Sequence, residues 1–369
     1  MKGAAMWAMI VKEFRQVRRD RRTLAMMIVL PVLLLVVLGY AASFDVKSVT
    51  VAAAGPQASV LAGRLPGLFD VTTTAPGQGR AWAQNELRDG KAEVAVVTGG
   101  SRPLVLVDGS QLFAAKAALG ALAELKAQAA AKPGAGAPAP VVRVLYNPGL
   151  NTSAIMIPGL CGVVLVFVGT IITSLGVVRE RQSGTLEQLA VMPLKPRDVF
   201  LGKIVPYFLV AAFDLAIVLG VGIAIFGVPF RGNPAVFGLG ALLFLFVTLG
   251  IGVLISSVSQ NQGQAIQLAV MTLLPQVLLS GLIFPLTSIA AGVRWIAYFL
   301  PLTYFNMISR GVMLRAEPIA ALWQPFLFLT LLGAIVVTGA TLRFRAYLAP
   351  AARERGGRAP VPAAQGAGA

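Results

Sequence analysis

The sequence predicts an α-helical polytopic membrane protein with six transmembrane helices, an outer re-entrant helical pair and a small extracytoplasmic α/β domain. Hydrophobic residues make up 57% of the chain, only 12% are charged, and the mean hydropathy is +0.78, values typical of membrane proteins rather than soluble enzymes. Several apolar runs approach or exceed the roughly 20 residues that a helix needs to cross a bilayer. One long segment instead alternates strand and helix patterns. The fold is therefore expected to be built in lipid, with one domain outside it.

Six runs are long and apolar enough to be spans: residues 23–42, 155–178, 204–228, 235–258, 265–284 and 325–342. The first follows a basic start, as a signal peptide would, but it is longer than the roughly 7–15 residues of a signal-peptide core. We therefore expect an uncleaved anchor. The predicted organisation is a cytoplasmic amphipathic helix, a first span, an outer domain, the remaining spans and a basic, disordered cytoplasmic tail: residues 1–22, 23–42, 43–153, 154–342 and 343–369.

The placement of the basic residues predicts the orientation of the spans. Of the 31 Lys and Arg residues, 17 fall at the two ends of the chain or in the loop 179–203, whereas the short loops on the opposite side hold four. Cytoplasmic loops carry such an excess, and long segments such as 43–153 do not count towards it. The net charge of +16 therefore reflects topology rather than nucleic-acid binding. Both termini are predicted to be cytoplasmic.

The segment 43–153 has the signals of a small α/β domain. Strands are predicted at residues 49–54, 69–74, 92–97, 104–108 and 141–146, and helices at 58–65, 81–89 and 113–131. The Pro-, Gly- and Ala-rich residues 132–140 are predicted to form a flexible loop, because they lack side chains that pack.

The segment 280–310 is too short and too interrupted for a seventh span. Arg294 and Arg310 bracket about 15 residues, and Pro301 interrupts them, whereas a span needs about 17. We expect a re-entrant or interfacial helical pair on the outer side. Its candidate site residues are Gly281, Pro285, Trp295, Pro301 and Arg310. For Trp295 and Arg310, interfacial anchoring is favoured over ligand binding.

No set of residues suited to catalysis, metal binding or nucleotide binding is apparent in the sequence. Histidine is absent and Cys161 is the single cysteine, so common metal-ligand spacings cannot occur. Gly202-Lys203 lacks the upstream glycine and following hydroxyl of a phosphate-binding loop. No catalytic role, metal or cofactor is therefore predicted for this chain. If ATP drives the protein, another polypeptide binds it.

The basic loop 179–203 contains internal helix signals. Thr185 and Gln188 form a capping-box pattern, while Pro193 and Pro196 are expected to end one short helix and begin the next. The result is a short rod joined to two spans. Its polar contacts would come from Arg179, Glu180, Arg181 and Glu187.

Residues 1–22 form a second amphipathic element. Met6, Ile10, Phe14 and Val17 share one helical face, and basic residues surround the rest, the pattern of an interfacial helix. Its charged candidates are Lys12, Glu13, Arg19 and Asp20.

Three motifs together resemble the permease subunits of ABC-2-type ATP-binding-cassette exporters, in the branch with a large extracytoplasmic domain between the first two helices. They are Lys12-Glu13 with Arg19-Asp20; Glu180 with Ser-Gly184-Thr185-Leu-Glu187-Gln188-Leu, Pro193 and Gly202-Lys203; and Ser280-Gly-Leu-Ile-Phe-Pro285 with Leu300-Pro-Leu-Thr-Tyr304 and Arg310. The likeness covers almost the whole chain.

This resemblance implies a set of partners and a location. Two permeases pair, as a homodimer or with a sister chain, and each docks through the loop 179–203 on a cytoplasmic ATPase subunit that holds ATP and Mg. Docking is favoured over a plain solvated loop. The N-terminal helix is either a second ATPase contact or a lipid-surface anchor. Membrane lipid and a periplasmic adaptor are further candidate partners, nucleic acid is not, and the location is the bacterial inner membrane.

Asp214 is the sole carboxylate within a predicted span. A charge facing lipid at the centre of a bilayer costs about 2.5–3.5 kcal/mol, so it is expected to face protein or water. Two roles remain open: lining the substrate path, or a hydrogen bond between helices.

Several function classes fit a membrane protein of this composition. An exporter subunit that moves an amphipathic, drug-like or lipid-like substrate explains both the cytoplasmic rod and the missing nucleotide site. An ion-coupled secondary transporter would need more intramembrane ionisable groups and internal repeats. A sensor or scaffold that uses the outer domain would not need the rod, and an enzyme is least favoured.

Overall fold

The computed structural model describes residues 46–63, 65–130, 139–183 and 196–356. The predicted N-terminal helix, the first predicted span, most of the loop 132–140 and the centre of the loop 179–203 lie outside the described residues.

A five-stranded sheet forms the domain predicted between the first two spans. Its strands are β1 (Val49–Ala54), β2 (Phe69–Ala75), β3 (Val94–Val97), β4 (Leu104–Asp108) and β5 (Val141–Leu145). The strand order is β2-β1-β3-β4-β5. β1 pairs in parallel with β2 and β3, β4 pairs in parallel with β5, and β3 and β4 are antiparallel. All five predicted strands are confirmed to within two residues at each end.

Helices cover both faces of this sheet. They are α1 (Ala58–Ala62), α2 (Arg80–Arg88) and α3 (Leu112–Ala130). The side chains of the three central strands β1, β3 and β4 alternate between two cores: Val51, Val94 and Val105 pack with α3, whereas Ala52, Ala95 and Leu106 pack with α2. This period-two division explains why these three strands are mostly apolar. We call residues 46–147 the sheet domain.

The remaining described residues are mainly helical. The helices are α4 (Thr152–Val166), α5 (Thr173–Gln182), α6 (Pro196–Ala224), α7 (Pro234–Val258), α8 (Gln262–Leu279), α9 (Ala291–Ala297), α10 (Pro301–Arg310) and α11 (Trp323–Gly356). A π-helical segment, Phe167–Ile172, joins α4 to α5, so the two form one continuous helix of 31 residues.

Four of these helices are long and apolar enough to cross a membrane: Thr152–Gln182, Tyr207–Ala224, Pro234–Val258 and Trp323–Arg343. Each coincides with a predicted span. The predicted span 265–284 corresponds to α8, which is not among the four, since it carries four glutamines and ends at Leu279. Gly281 has φ +82°, a left-handed conformation that interrupts the predicted run. Six spans are therefore not confirmed.

α7 lies at the centre of the helical packing, between the α4–α5 helix and α11. Small residues allow the close approach: a Cβ added to Gly252 would lie 3.0 Å from Cβ of Thr173, and one added to Gly250 would lie 2.7 Å from Cγ1 of Val336. Phe244 of α7 also stacks on Phe305 of α10, with ring centroids 4.6 Å apart. Such small-residue contacts are typical of helices packed in lipid.

The segment 280–310 contains the two short helices α9 and α10, so a helical pair is present there. α10 packs against α4, α7 and α11, and most of its residues are buried. A π-helical turn, Gly311–Arg315, follows it. A re-entrant position for this pair in a membrane stays a prediction.

The predicted disordered tail is corrected in part. α11 continues to Gly356, so residues 343–356 are helical. Alanine and arginine, which each occur four times there, are strong helix formers. Residues 357–369 lie outside the described residues.

Candidate functional site

The structure describes the two ends of the loop 179–203. Arg179, Glu180 and Arg181 lie in the last turns of α5, where basic side chains stabilise a helix C-terminus. After the loop, α6 begins at Pro196, as predicted, and includes Lys203. The other predicted coupling residues, Gly184, Thr185, Glu187, Gln188 and Pro193, lie outside the described residues.

The helices that enter and leave this loop are in direct contact. The phenol oxygen of Tyr207 in α6 occupies the space that a Cβ on Gly176 of α5 would need. At the end of α5, Gln262 Nε2 of α8 donates a hydrogen bond to Gln182 Oε1 at 3.0 Å. The loop therefore rises from helices that are packed together, and α8 begins beside the same end.

Asp214 lies on α6 and is partly buried. The apolar neighbours Phe213 and Ile217 are exposed, and little of the span Tyr207–Ala224 is buried. Within the described part of the chain, no hydrogen bond or ion pair from Asp214 is found. Both roles predicted for this carboxylate remain open. Lys12, Glu13, Arg19 and Asp20 lie outside the described residues.

The predicted residues of the segment 280–310 occupy different environments. Gly281 forms the left-handed turn after α8, Pro285 precedes a 3₁₀ turn, and Pro301 opens α10. Trp295 is 58% exposed and its Nε1 donates to the carbonyl of Gly292 at 2.9 Å. Arg310, in contrast, is partly buried, and its Nε atom is inaccessible to solvent.

Arg310 lines a cavity of about 220 Å³ between the sheet domain and the helices. We call it the junction cavity. Glu93, Gln111, Ile155, Leu282, Met307 and Arg315 are among its other lining residues. The cavity thus brings together the sheet domain, the start of α4 and the segment 280–310, which are distant in sequence.

The positive charge of the Arg310 guanidinium has few hydrogen-bond acceptors near it. Nη2 donates to the carbonyl of Leu282 at 3.2 Å, while Nε is inaccessible to solvent and has no hydrogen-bond partner. In the described part of the chain no carboxylate forms an ion pair with it. Burial, and then the positive charge of Arg315, lower the pKa of Arg310 to about 10, so that it remains protonated at neutral pH.

A buried ionic network beside the cavity joins the sheet domain to the helices. Arg315 donates from Nη2 to Glu317 Oε1 at 2.8 Å, from Nη1 to Ser110 Oγ at 3.1 Å, and from Nη1 to Asp108 Oδ2 at 3.5 Å. Burial alone would lower the pKa of Arg315, but the charges of Glu317 and Asp108 outweigh it and raise that pKa. The arginine is therefore firmly held as a cation.

Sequence reasoning missed Asp108, Arg315 and Glu317. The available signals were weak: Asp108 ends a predicted strand, and Arg315 stands two residues from Glu317. Their contact depends on long-range folding.

These features define a polytopic helical membrane protein in which a small sheet domain is fixed to a helical bundle. The chain belongs to the ABC-2 family of transporter proteins, because the model of that family, described as ABC-2 family transporter protein, matches residues 21–342. It is thus a permease of the ABC-2 type.

Its relatives include permeases from Escherichia coli strain K12. The chain is 33% identical over 205 residues to the probable multidrug ABC transporter permease YbhR, covering 56% of each chain. It is 29% identical over 363 residues to the probable multidrug ABC transporter permease YbhS, covering 90% of this chain and 94% of that relative. It is also 27% identical over 186 residues to the ABC transporter G family member 20 of Dictyostelium discoideum, covering 50% of this chain and 26% of that protein.

Proposed function

We propose that the chain is the transmembrane subunit of an ATP-driven exporter and that a separate cytoplasmic ATPase subunit drives it through the loop 179–203. The observation that carries the proposal is the contact between Gly176 and Tyr207. This contact packs together the two helices that flank the loop, in a chain of the ABC-2 family. A push on the loop would therefore move both helices together, as in a rigid-body transition.

The continuous helix Thr152–Gln182 is long enough to transmit a displacement from one side of the membrane domain to the other. Its 31 residues correspond to about 46 Å at 1.5 Å per residue. One end reaches the loop, and the other, at Ile155 and Met156, lines the junction cavity. A displacement at the loop would thus reach the side of the sheet domain.

A second permease is the proposed partner within the membrane. α6 exposes several large apolar side chains, including Leu209 at 63% and Phe213 at 67%, and Asp214 lies among them. A partly buried carboxylate beside lipid is costly, so a facing permease and a polar path between the two would provide its environment.

The proposed cargo is an amphipathic, drug-like molecule or a lipid. The names of YbhR and YbhS, which describe probable multidrug permeases, support a drug-like cargo. The proposed location is a bacterial inner membrane with both termini cytoplasmic. Support comes from the positive charges at both ends of the chain and from a 31% identical relative named inner membrane transport permease YhhJ.

A transport assay tests this proposal. The permease and the ATPase subunit purified with it would be reconstituted in liposomes, and the ATP-dependent movement of a fluorescent amphipathic dye would be followed. We expect movement with ATP but not with a non-hydrolysable analogue. Movement driven by an ion gradient without ATP would favour a secondary transporter, and no movement under either condition would favour a sensor or scaffold.

A further inference from the structure

We propose that the junction cavity binds the anionic head group of an amphipathic molecule, a carboxylate or a phosphate, and that Arg310 is the residue that contacts it. This site is distinct from the coupling loop and from the path proposed at Asp214. Binding at the site would not require ATP or an ATPase subunit.

The positive charge of Arg310 is not balanced by an ion pair with any described residue. Removing part of a cation from water is unfavourable unless an anion or hydrogen-bond acceptors replace the water, and Arg310 is partly buried with an inaccessible Nε. Among the described residues the side chain of Arg310 has one hydrogen bond, to the carbonyl of Leu282, and its Nε has none. An anion in the adjoining cavity would supply the missing acceptor.

The other charged side chains that line the cavity already have partners. Arg315 is held by Glu317 and Asp108. Glu93 accepts hydrogen bonds from the backbone nitrogen of Thr50 at 2.9 Å and from its hydroxyl at 3.3 Å. Arg310 is therefore the lining cation left to bind a ligand, and a guanidinium suits the planar geometry of a carboxylate or the oxygens of a phosphate.

The size and the lining of the junction cavity suit a small amphiphilic head group. A whole drug-sized ligand usually occupies about 300–1,000 Å³, and the junction cavity, at about 220 Å³, is smaller. It suits a head group with a few attached carbon atoms. Leu282, Leu286 and Met307 supply an apolar wall for those carbons. An amphiphile with a compact anionic head fits both the charge and the wall.

Direct binding to the purified full-length protein in phosphatidylcholine nanodiscs tests the site. The probes are dodecyl phosphate and dodecanoate, with dodecyltrimethylammonium as the cationic comparison, and calorimetry measures affinity. We expect the anions to bind at least about 10-fold more tightly than the cation, because an anion can accept a charge-assisted hydrogen bond from Arg310 whereas the cation is repelled by it.

Three substitutions and one control locate the binding. Arg310→Gln should weaken anion binding about 10-fold or more, whereas Arg310→Lys should retain part of it. Arg231, an exposed arginine whose backbone nitrogen bonds to the carbonyl of Met313, is the matched control, and Arg231→Gln should leave binding unchanged. Met307→Trp keeps Arg310 but fills the cavity, so it should also abolish binding. This variant tests the site even if Arg310→Gln fails to fold.

The same measurement in nanodiscs that contain phosphatidylglycerol distinguishes two sources of the head group. If the natural ligand is a lipid, phosphatidylglycerol should compete with the probes, and native mass spectrometry should find an anionic lipid that Arg310→Gln loses. If it is a free amphiphile, the lipid should not compete. Equal affinity for anion and cation, no binding of any probe, or binding unaffected by both Arg310→Gln and Met307→Trp would overturn the proposal.

Discussion

Arg315 and Asp108 are separated by 207 residues in the sequence, yet Nη1 of the arginine lies 3.5 Å from Oδ2 of the aspartate. Arg315 is 7% exposed and Asp108 is 1% exposed. The pair therefore ties the end of strand β4 to the π-helical turn after α10, in a place that water does not screen. Through this contact the sheet domain and the helical bundle are expected to move as coupled parts.

Loss of the arginine should destabilise the protein strongly. Arg315→Met leaves Asp108 and Glu317 buried without their cation, and removing one partner of a buried pair costs about 3–5 kcal/mol. Arg143, exposed on β5, provides the matched control Arg143→Met, which should change stability little. Thermal unfolding of both variants in detergent measures the difference. Equal unfolding temperatures would mean that the network does not stabilise the junction.

The buried carboxyl group of Glu93 should make the stability of the protein depend on pH. Burial raises the pKa of Glu93, and this effect outweighs the two hydrogen bonds from Thr50. The unfolded state therefore loses its proton at a lower pH than the folded state. At pH values below the pKa of Glu93 in the unfolded state, near 4.5, this carboxyl group does not lower the free energy of unfolding. It lowers that free energy increasingly as the pH rises through the pKa of Glu93 in the folded state.

Glu93→Gln should remove this penalty, since the amide oxygen can still accept from Thr50. The variant should therefore gain stability relative to wild type at pH 8 but not at pH 4.5. Asp70→Asn, at an exposed site on β2, serves as the control. A difference between Glu93→Gln and wild type that is the same at both pH values would contradict the assignment.

The close contact beneath the loop can be tested by adding one methyl group. Gly176→Ala should push against the hydroxyl of Tyr207, cost about 1–3 kcal/mol in overpacking and reduce ATP-driven transport. Tyr207→Phe removes that hydroxyl and should restore much of both losses in the double variant. Gly220→Ala is the control, because a Cβ there has no atom within 4 Å. Transport by Gly176→Ala at the wild-type rate would argue against coupling through these helices.

Asp214 should matter more for transport than for stability. Since it makes no hydrogen bond or ion pair with the described residues, Asp214→Asn should change stability by less than about 0.5 kcal/mol. If the carboxylate lines the path, export should fall several-fold and Asp214→Glu should restore part of it. Normal export together with normal accumulation of Asp214→Asn would remove this residue from the transport mechanism.

The sequence was most informative where a local pattern determines the element. The strand at residues 49–54 could be predicted from its apolar composition, and the start of α6 from Pro196, because both signals act within a few residues. The prediction of a span at 265–284 is not confirmed. The apolar average of this run does not show that a left-handed turn at Gly281 follows the helix, or that the glutamines of α8 make the helix itself less apolar.

The junction could not be predicted in the same way. Interfacial anchoring of Arg310 stays a prediction, and its position at the junction cavity beside the sheet domain has no local signal in the sequence. Nothing near Arg315 in the sequence indicates that Asp108 is its neighbour. Such contacts depend on how the whole chain folds, and a single sequence carries no local signal for them.

Purification of the chain from its native membrane in mild detergent shows whether a separate ATPase subunit binds it. Mass spectrometry and an ATPase assay would show whether an ATP-binding subunit accompanies wild type, Glu187→Lys and a deletion of residues 184–189. Glu124→Lys, at an exposed position of α3, is the control for charge reversal. We predict that the subunit accompanies wild type and Glu124→Lys and is lost from the two loop variants. A chain that purifies alone, or a partner that remains bound to all four proteins, would contradict the account.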